Sequence, residues 1–173
     1  MARNRNTSNR GFSLIELVIV VVIIGIIAAI AIPRMSRGTA GAADSAAAGN
    51  LNVLRNAIEL FATEHGGKFP EQIGTLPADS IANQLTMYTD DQGKTNATKT
   101  GNFIFGPYLR KIPPVTVGTL KNDKDKNNLI KSGTTDTPET TPTAGWIYNK
   151  DTGGIHANVP TEVDQNNKAY SDY

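Results

Sequence analysis

The chain has 173 residues, a formal net charge of +1 at pH 7 and no cysteine. The near-balanced charge gives no strong basic field, so nucleic-acid binding through a charged patch is not supported. The absence of cysteine excludes a disulfide framework within this chain and a thiol nucleophile. Apolar residues are concentrated near the N-terminus, so the polar remainder can form only a small core.

The first element is an apolar segment that contains one carboxylate. The 21 residues from Phe12 to Ile32 are interrupted only by Ser13 and Glu16, and no polar side chain follows Glu16 within them. As a helix this segment is roughly 31 Å long, about the thickness of a bilayer core. A lone acid at mid-depth costs about 2.5–3.5 kcal/mol, and less near an end, so such a group is normally retained because something pairs with it.

The flanking charges predict an orientation. Residues 1–11 carry three arginines and no acid, which favours a cytoplasmic N-terminus and an exported C-terminal part. Arg34 and Arg37 on the far side weaken this asymmetry. A signal peptide usually has a shorter apolar core that ends at small residues, and a plain signal anchor gives no reason for Glu16.

The sequence GFSLIE at residues 11–16, followed by a Val/Ile-rich helix, resembles the class III signal of type IV pilins and type II secretion pseudopilins. The resemblance implies that a prepilin peptidase cuts between Gly11 and Phe12 and that the new amino terminus of Phe12 is N-methylated. Glu16 then becomes the fifth residue of the mature chain, the acidic position of the family. Pro33 matches a helix-kinking proline and Gly25 a helix-softening glycine.

The position of Glu16 has a physical rationale apart from the resemblance. Cutting after Gly11 creates an ammonium group at the top of the helix, about one turn from the carboxylate. The carboxylate can pair with its own ammonium or with that of a neighbouring copy. A neighbour is favoured, because mutual desolvation in a helical bundle strengthens the attraction and fixes the register between subunits.

Residues 34–66 are predicted to continue the long helix. Residues 34–50 are rich in alanine and glycine, which suits either close helix packing in a filament or a flexible linker. Leu51, Leu54, Ile58 and Phe61 then recur at three- and four-residue steps, as on a helix face that packs on a core. Gly66 and Gly67 predict the helix end.

The fold class predicted is α+β: a long N-terminal helix, with its transmembrane and assembly part at 12–33, and a small head at 67–159 with a short antiparallel sheet. We expect a short helix at 79–87, capped by Asp79 or Ser80, and strands at 102–105 and 115–120. The clearest hairpin pairs 145–149 with 155–158. Residues 88–102 read as polar and turn-rich. This architecture is the one that the pilin resemblance implies.

Two segments of low apolar content complete the chain. We expect a mobile surface loop at 121–143 and a polar tail at 160–173 that drapes over the head or frays. Asp123, Asp125 and Asn127 alternate as in calcium loops, and the related pseudopilins often bind calcium. Asn128 and Thr134, however, replace the glycine and the glutamate that such a loop needs, so no residue is assigned to a metal and no cofactor is expected.

Catalysis finds little support. His65 is predicted to end a helix and His156 to lie in a hairpin, and no P-loop, dinucleotide fingerprint or Gly-x-Ser-x-Gly motif occurs. The expectation is that the protein is not an enzyme.

The resemblance extends more loosely beyond residue 33 and is greatest to the major-pseudopilin branch. It rests on residues 54–61, on the exit GGKFP at 66–70, on GPYLRKIP at 106–113 and on the terminal Trp/Tyr hairpin. The loop at 121–143 is unlike a compact pseudopilin head. Many major pilins also close a C-terminal loop with a disulfide, which this chain lacks.

These observations lead to one expected role and two alternatives. The expected role is a subunit of a periplasmic type II secretion pseudopilus, anchored once in the bacterial inner membrane before it polymerises. Its partners would be further copies of itself, prepilin peptidase, the inner-membrane assembly platform, minor pseudopilins and membrane lipid. The alternatives are a surface type IV pilus subunit for adhesion, motility or DNA uptake, and an uncut single-pass anchor that displays a binding head.

Overall fold

The computed structural model describes residues 12–78 and 80–173, without the side chains of residues 32–40. The chain divides into two compact units, the first ending at Thr39 and the second, here called the C-terminal unit, spanning Ala40–Tyr173. Helix α1 (Leu14–Glu64) contributes to both units. The predicted α+β class, with a long N-terminal helix and a small C-terminal sheet region, is confirmed. The predicted domain boundaries remain predictions.

The end of α1 is set by the glycines that follow it. Gly66 and Gly67 adopt φ values of 65° and 81°, which residues with a side chain rarely adopt. The Gly67 N–H donates to the Ala62 carbonyl at 2.8 Å, and this bond satisfies one of the free carbonyls of the last turn. The predicted helix end is therefore confirmed.

The remaining elements are short. They are α2 (Ile81–Thr86), β1 (Tyr88–Thr89), β2 (Thr95–Asn96), β3 (Ile130–Gly133), β4 (Trp146–Asn149), β5 (Ile155–Ala157) and the 3-10 turn η1 (Tyr170–Asp172). Strands β1 and β2 form an antiparallel pair, and a second sheet has the order β3-β4-β5. In that sheet β4 pairs antiparallel with β5 and parallel with β3. The predicted short helix and the predicted hairpin are both confirmed. Ser80 is the N-cap of α2 but makes no side-chain capping bond, and Asp79 lies outside the described residues.

Several expectations for the C-terminal unit are wrong. Residues 102–105 contribute one isolated bridge, from Phe105 to Thr89, and 115–120 form no strand. Val115 and Val117 are buried, as a strand pattern would have them, but Pro113 and Pro114 precede them and no ladder forms. The segment 88–102, which reads as turns, contains the β1–β2 pair. The loop expected at 121–143 contains β3, whose parallel pairing with β4 no local pattern reveals.

One hydrophobic core lies inside the C-terminal unit. It joins one face of α1 to α2 and to the second sheet, with the buried side chains of Leu51, Leu54, Ile58, Phe61, Ile81, Leu85, Trp146, Tyr148 and Ile155 at its centre. The Trp146 indole N–H donates to the Pro113 carbonyl at 2.8 Å, so the largest core side chain is hydrogen-bonded as well as buried. Tyr170 also joins this core, so the tail packs onto the unit.

A buried amide connects three segments around α2. Gln84 is fully buried, and its side-chain NH2 donates to the carbonyls of Ile73 and Gly93, each at 2.8 Å. Its carbonyl accepts the backbone N–H of Glu71 at 2.7 Å. Because each of these polar atoms has a partner, the amide fixes the turn at 71–74 and the β1–β2 hairpin to α2 without an unsatisfied group.

Candidate functional site: the start of the apolar helix

The site predicted from the sequence is the beginning of α1. Phe12 and Ser13 precede the helix, which begins at Leu14, and Glu16 lies in its first turn. Oε2 of Glu16 accepts the backbone N–H of Ser13 at 3.4 Å, and the Leu17 N–H donates to the Ser13 carbonyl at 3.2 Å. The Glu16 carboxylate is therefore turned back toward the helix start and not along the apolar surface.

This arrangement is half of a capping box, in which a glutamate at the third helical position reaches back to the N-cap backbone. Sequence reasoning missed this role, although the spacing Ser13-x-x-Glu16 is its signal. The carboxylate also lies at the positive end of the helix dipole, where a negative charge is favoured. Glu16 thus caps the start of its own helix within a single copy. At 3.4 Å the hydrogen bond from the Ser13 N–H is weak, so the carboxylate can still accept a further donor.

The surface that follows Glu16 is apolar and uncovered. Leu14–Ala31 has a mean hydropathy of 3.2, and none of it is buried within the chain. By length and composition this is a helix able to cross a membrane. Large exposed apolar surfaces on a protein require a lipid or protein partner, because water is a poor solvent for them.

The other predicted site residues are placed only in part. Phe12 is 80% exposed, so its backbone nitrogen lies on an accessible segment. Gly11 lies outside the described residues. A Cβ added at Gly25 would meet nothing within 4 Å, so no neighbour within the chain requires a glycine there. Pro33 lies within α1, but its side chain is not among those described, so the predicted kink remains a prediction.

The oxygen-rich segment at 123–127 forms a local turn. Oδ1 of Asp123 accepts the N–H groups of Asp125 and Lys126 at 3.1 and 3.2 Å, and Oδ2 lies 3.9 Å from the Lys126 ammonium. Across residues 12–78 and 80–173, no group of three or more histidine or acidic side chains could hold a metal ion. The Asp123 oxygens therefore serve the turn itself.

The two histidines lie apart in the fold. His65 is buried directly after α1, where both ring nitrogens face backbone carbonyls. His156 lies in β5 with Nε2 4.0 Å from Oδ1 of Asp136. The expectation that the chain has no catalytic activity remains a prediction.

The comparisons with known proteins bear on the same N-terminal segment. A family model described as the prokaryotic N-terminal methylation motif matches residues 6–32. Searches of the curated proteins and of the solved structures gave no match. The matched residues contain the exposed Phe12, the first-turn Glu16 and the apolar helix.

The match to the methylation motif at residues 6–32 supports a type IV pilin-like or pseudopilin-like subunit. The motif indicates processing by prepilin peptidase and assembly into filaments, and the apolar helix fits a protein anchored once in the inner membrane.

Proposed function

We propose that the chain is the structural subunit of a type II secretion pseudopilus. Prepilin peptidase cuts between Gly11 and Phe12, Phe12 is N-methylated, and the subunit polymerises in the periplasm to drive protein export. Subunits leave the bilayer as their apolar helices bundle. The pairing of Glu16 with the Phe12 amine of a neighbour then compensates for the cost of the carboxylate in the membrane.

One observation carries this proposal: the matched motif places an acid in the first turn of α1, within the stretch Leu14–Ala31 that is otherwise apolar and is not buried within the chain. The Glu16 carboxylate is held toward the helix start, which is where the ammonium of a processed chain would be. A single weak backbone bond leaves it able to exchange that partner for a charged one.

The major-pseudopilin branch is supported by residues outside the motif. The helix end followed by GGKFP at 66–70, the segment GPYLRKIP at 106–113 and the β4–β5 hairpin resemble that branch. A type IV pilus at the cell surface is the second candidate. It is favoured by the segment at 121–143, which adds β3 and is unlike a compact pseudopilin head.

Two measurements test the proposal. Mass spectrometry of the purified protein should find a chain that begins with N-methylated Phe12, whereas an uncut N-terminus would support the single-pass anchor. Immunogold labelling of overproduced filaments should then find them inside the outer membrane. Filaments on the cell surface of a secretion-competent strain would favour the pilus subunit instead.

A further inference from the structure

The joint between the end of α1 and the β1–β2 hairpin is built around a buried imidazole. His65 is 6% exposed and directly follows the last residue of α1. Its Nδ1 lies 2.8 Å from the Phe61 carbonyl, one turn back on α1, and its Nε2 lies 2.9 Å from the Asp90 carbonyl of the hairpin. Each ring nitrogen therefore faces a group that can only accept a hydrogen bond.

A neutral imidazole cannot satisfy both carbonyls, because it carries one N–H group. If the proton is on Nε2, the lone pair of Nδ1 faces the Phe61 oxygen. If the proton is on Nδ1, the lone pair of Nε2 faces the Asp90 oxygen, and its nearby donor is the hydroxyl of Thr89 at 3.2 Å.

The doubly protonated ring donates to both carbonyls at once. Burial penalises this charge, but the C-terminal end of a helix favours a cation there. The Phe61 ring stacks on the imidazole with centroids 3.9 Å apart and planes 12° apart, and the Phe105 ring lies 5.1 Å away. Aromatic faces stabilise a cation placed over them.

The titratable groups around the joint come from each packed element. Glu64 of α1 accepts the hydroxyl of Tyr108 at 2.6 Å, and the Asp90 carboxylate of the hairpin accepts the N–H groups of Gln92 and Lys94. The side chains of Lys68 and Lys94 are exposed at the edge of the joint. Two carboxylates and a phenol thus flank His65, and the two lysines extend into solvent.

We propose that His65 forms a proton-dependent hydrogen-bonded link between α1 and the β1–β2 hairpin. Protonation lets the ring bond the Phe61 and Asp90 carbonyls together, and loss of one proton releases one of them. The C-terminal unit is therefore held more firmly at this joint in acid medium than in alkaline medium. This inference goes beyond the proposed function and does not depend on which filament the chain forms.

The first test observes the ring directly in the full chain in detergent micelles. The chain has two histidines, so His156→Gln leaves His65 as its one imidazole. Long-range ¹H–¹⁵N correlation spectra recorded at pH 5.5 and pH 8 should show protons on both ring nitrogens of the folded protein at the lower pH. A ring that keeps a single N–H until the protein unfolds would overturn the proposal.

The second test measures unfolding by urea at pH 5.5 and pH 8. The comparison is between His156→Gln and the double variant His65→Gln/His156→Gln, so that the effect of pH on other groups cancels. The ratio of the folding equilibrium constant of His156→Gln to that of the double variant should be about five- to tenfold larger at pH 5.5 than at pH 8, the size expected for one additional hydrogen bond. A ratio that is equal or smaller at pH 5.5 would overturn the proposal.

Thr89→Val provides a test should His65→Gln fail to fold. It removes the hydroxyl that can serve the neutral ring and leaves both carbonyls in place. On the His156→Gln background it should destabilise the protein more at pH 8 than at pH 5.5. A loss that is the same at both pH values contradicts the proposal.

Discussion

The hydroxyl of Tyr170 donates to the Asp44 carboxylate at 2.5 Å, which joins the polar tail to a residue of α1 that lies 126 positions earlier. The Tyr170 ring is buried in the core at 6% exposure. Oδ2 of Asp44 accepts the Gln165 N–H at 3.2 Å, so one carboxylate holds the tail at two points. The tail predicted to drape or fray is thus fixed to the helix.

Removing the Tyr170 hydroxyl should loosen this attachment. Burial raises the pKa of Tyr170, and the bond to Asp44 raises it further, so the phenol remains a donor and its contribution is lost only as the pH rises above about 10. At pH 7, Tyr170→Phe should lower the free energy of unfolding by about 1 kcal/mol. A double-mutant cycle with Asp44→Ala, followed by urea unfolding, isolates the pair. Strictly additive losses would show that the bond contributes nothing.

Substitutions of Glu16 should separate its local and intermolecular roles. Glutamine can keep the capping bond to the Ser13 N–H but carries no charge, whereas alanine loses both. If pairing with a neighbouring ammonium drives assembly, Glu16→Gln and Glu16→Ala should both abolish filaments while membrane insertion continues. Electron microscopy of filaments and membrane fractionation measure the two outcomes. Normal filaments from Glu16→Gln would contradict the pairing and leave Glu16 with only its role as a helix cap.

The hydroxyl of Tyr148 should contribute measurably to stability. It is fully buried in β4 and donates to the Pro70 carbonyl at 3.0 Å. Tyr148→Phe leaves that buried carbonyl without this donor, so the free energy of unfolding should fall by about 1–3 kcal/mol. Tyr88→Phe is the matched control, because Tyr88 is half-buried and its hydroxyl has no hydrogen bond among the described residues. Equal melting temperatures for the two variants would contradict the prediction.

Acid should weaken the attachment of residues 139–144 to the sheet. Burial raises the pKa of Glu139, but hydrogen bonds from Lys131, Thr143 and Asn158 outweigh it and hold this pKa at about 2, below the usual 4.5. Because the folded-state pKa is depressed, this stabilisation is complete above about pH 4.5 and is lost as the pH falls toward 2.

Glu139→Gln should therefore be less stable than the parent at pH 6, and the difference should shrink as the pH is lowered through this window. Urea unfolding at pH 6, 4 and 3 measures it. Asp125→Asn is the control, since this exposed carboxylate has no side-chain partner among the described residues. A difference that is independent of pH would mean that the charge of Glu139 is not what matters.

The sequence predicts those parts of the fold that local patterns encode. Three signals together indicate where α1 lies: the apolar run after Glu16, the three- and four-residue spacing from Leu51 to Phe61, and the glycines at 66–67. The β4–β5 hairpin follows from its turn residues. In the candidate site, the motif predicts the positions of Phe12 and Glu16, but their partners on a neighbouring copy cannot be read from one chain.

The errors have a common cause in long-range pairing. Strand β3 has one apolar residue, Ile130, and becomes a strand because β4 lies beside it after a crossover. The segment at 121–143 looks unstructured because it is low in apolar residues, yet the Glu139 carboxylate accepts a hydrogen bond from the side-chain amide of Asn158, which directly follows β5. Such contacts join residues that no window of sequence contains, so propensity alone cannot reveal them.

The close approach of two backbones beside β4 makes one position diagnostic. A Cβ added at Gly145 would lie 2.1 Å from the Asn127 carbonyl oxygen, a distance that no rotamer change can relieve, because the backbone fixes the position of a Cβ and the oxygen belongs to the main chain. Any relative that keeps this architecture must therefore conserve a glycine immediately before the tryptophan of β4. A profile built on that Gly-Trp pair would recognise distant homologues of the head whose N-terminal motif cannot distinguish them from other members of the family.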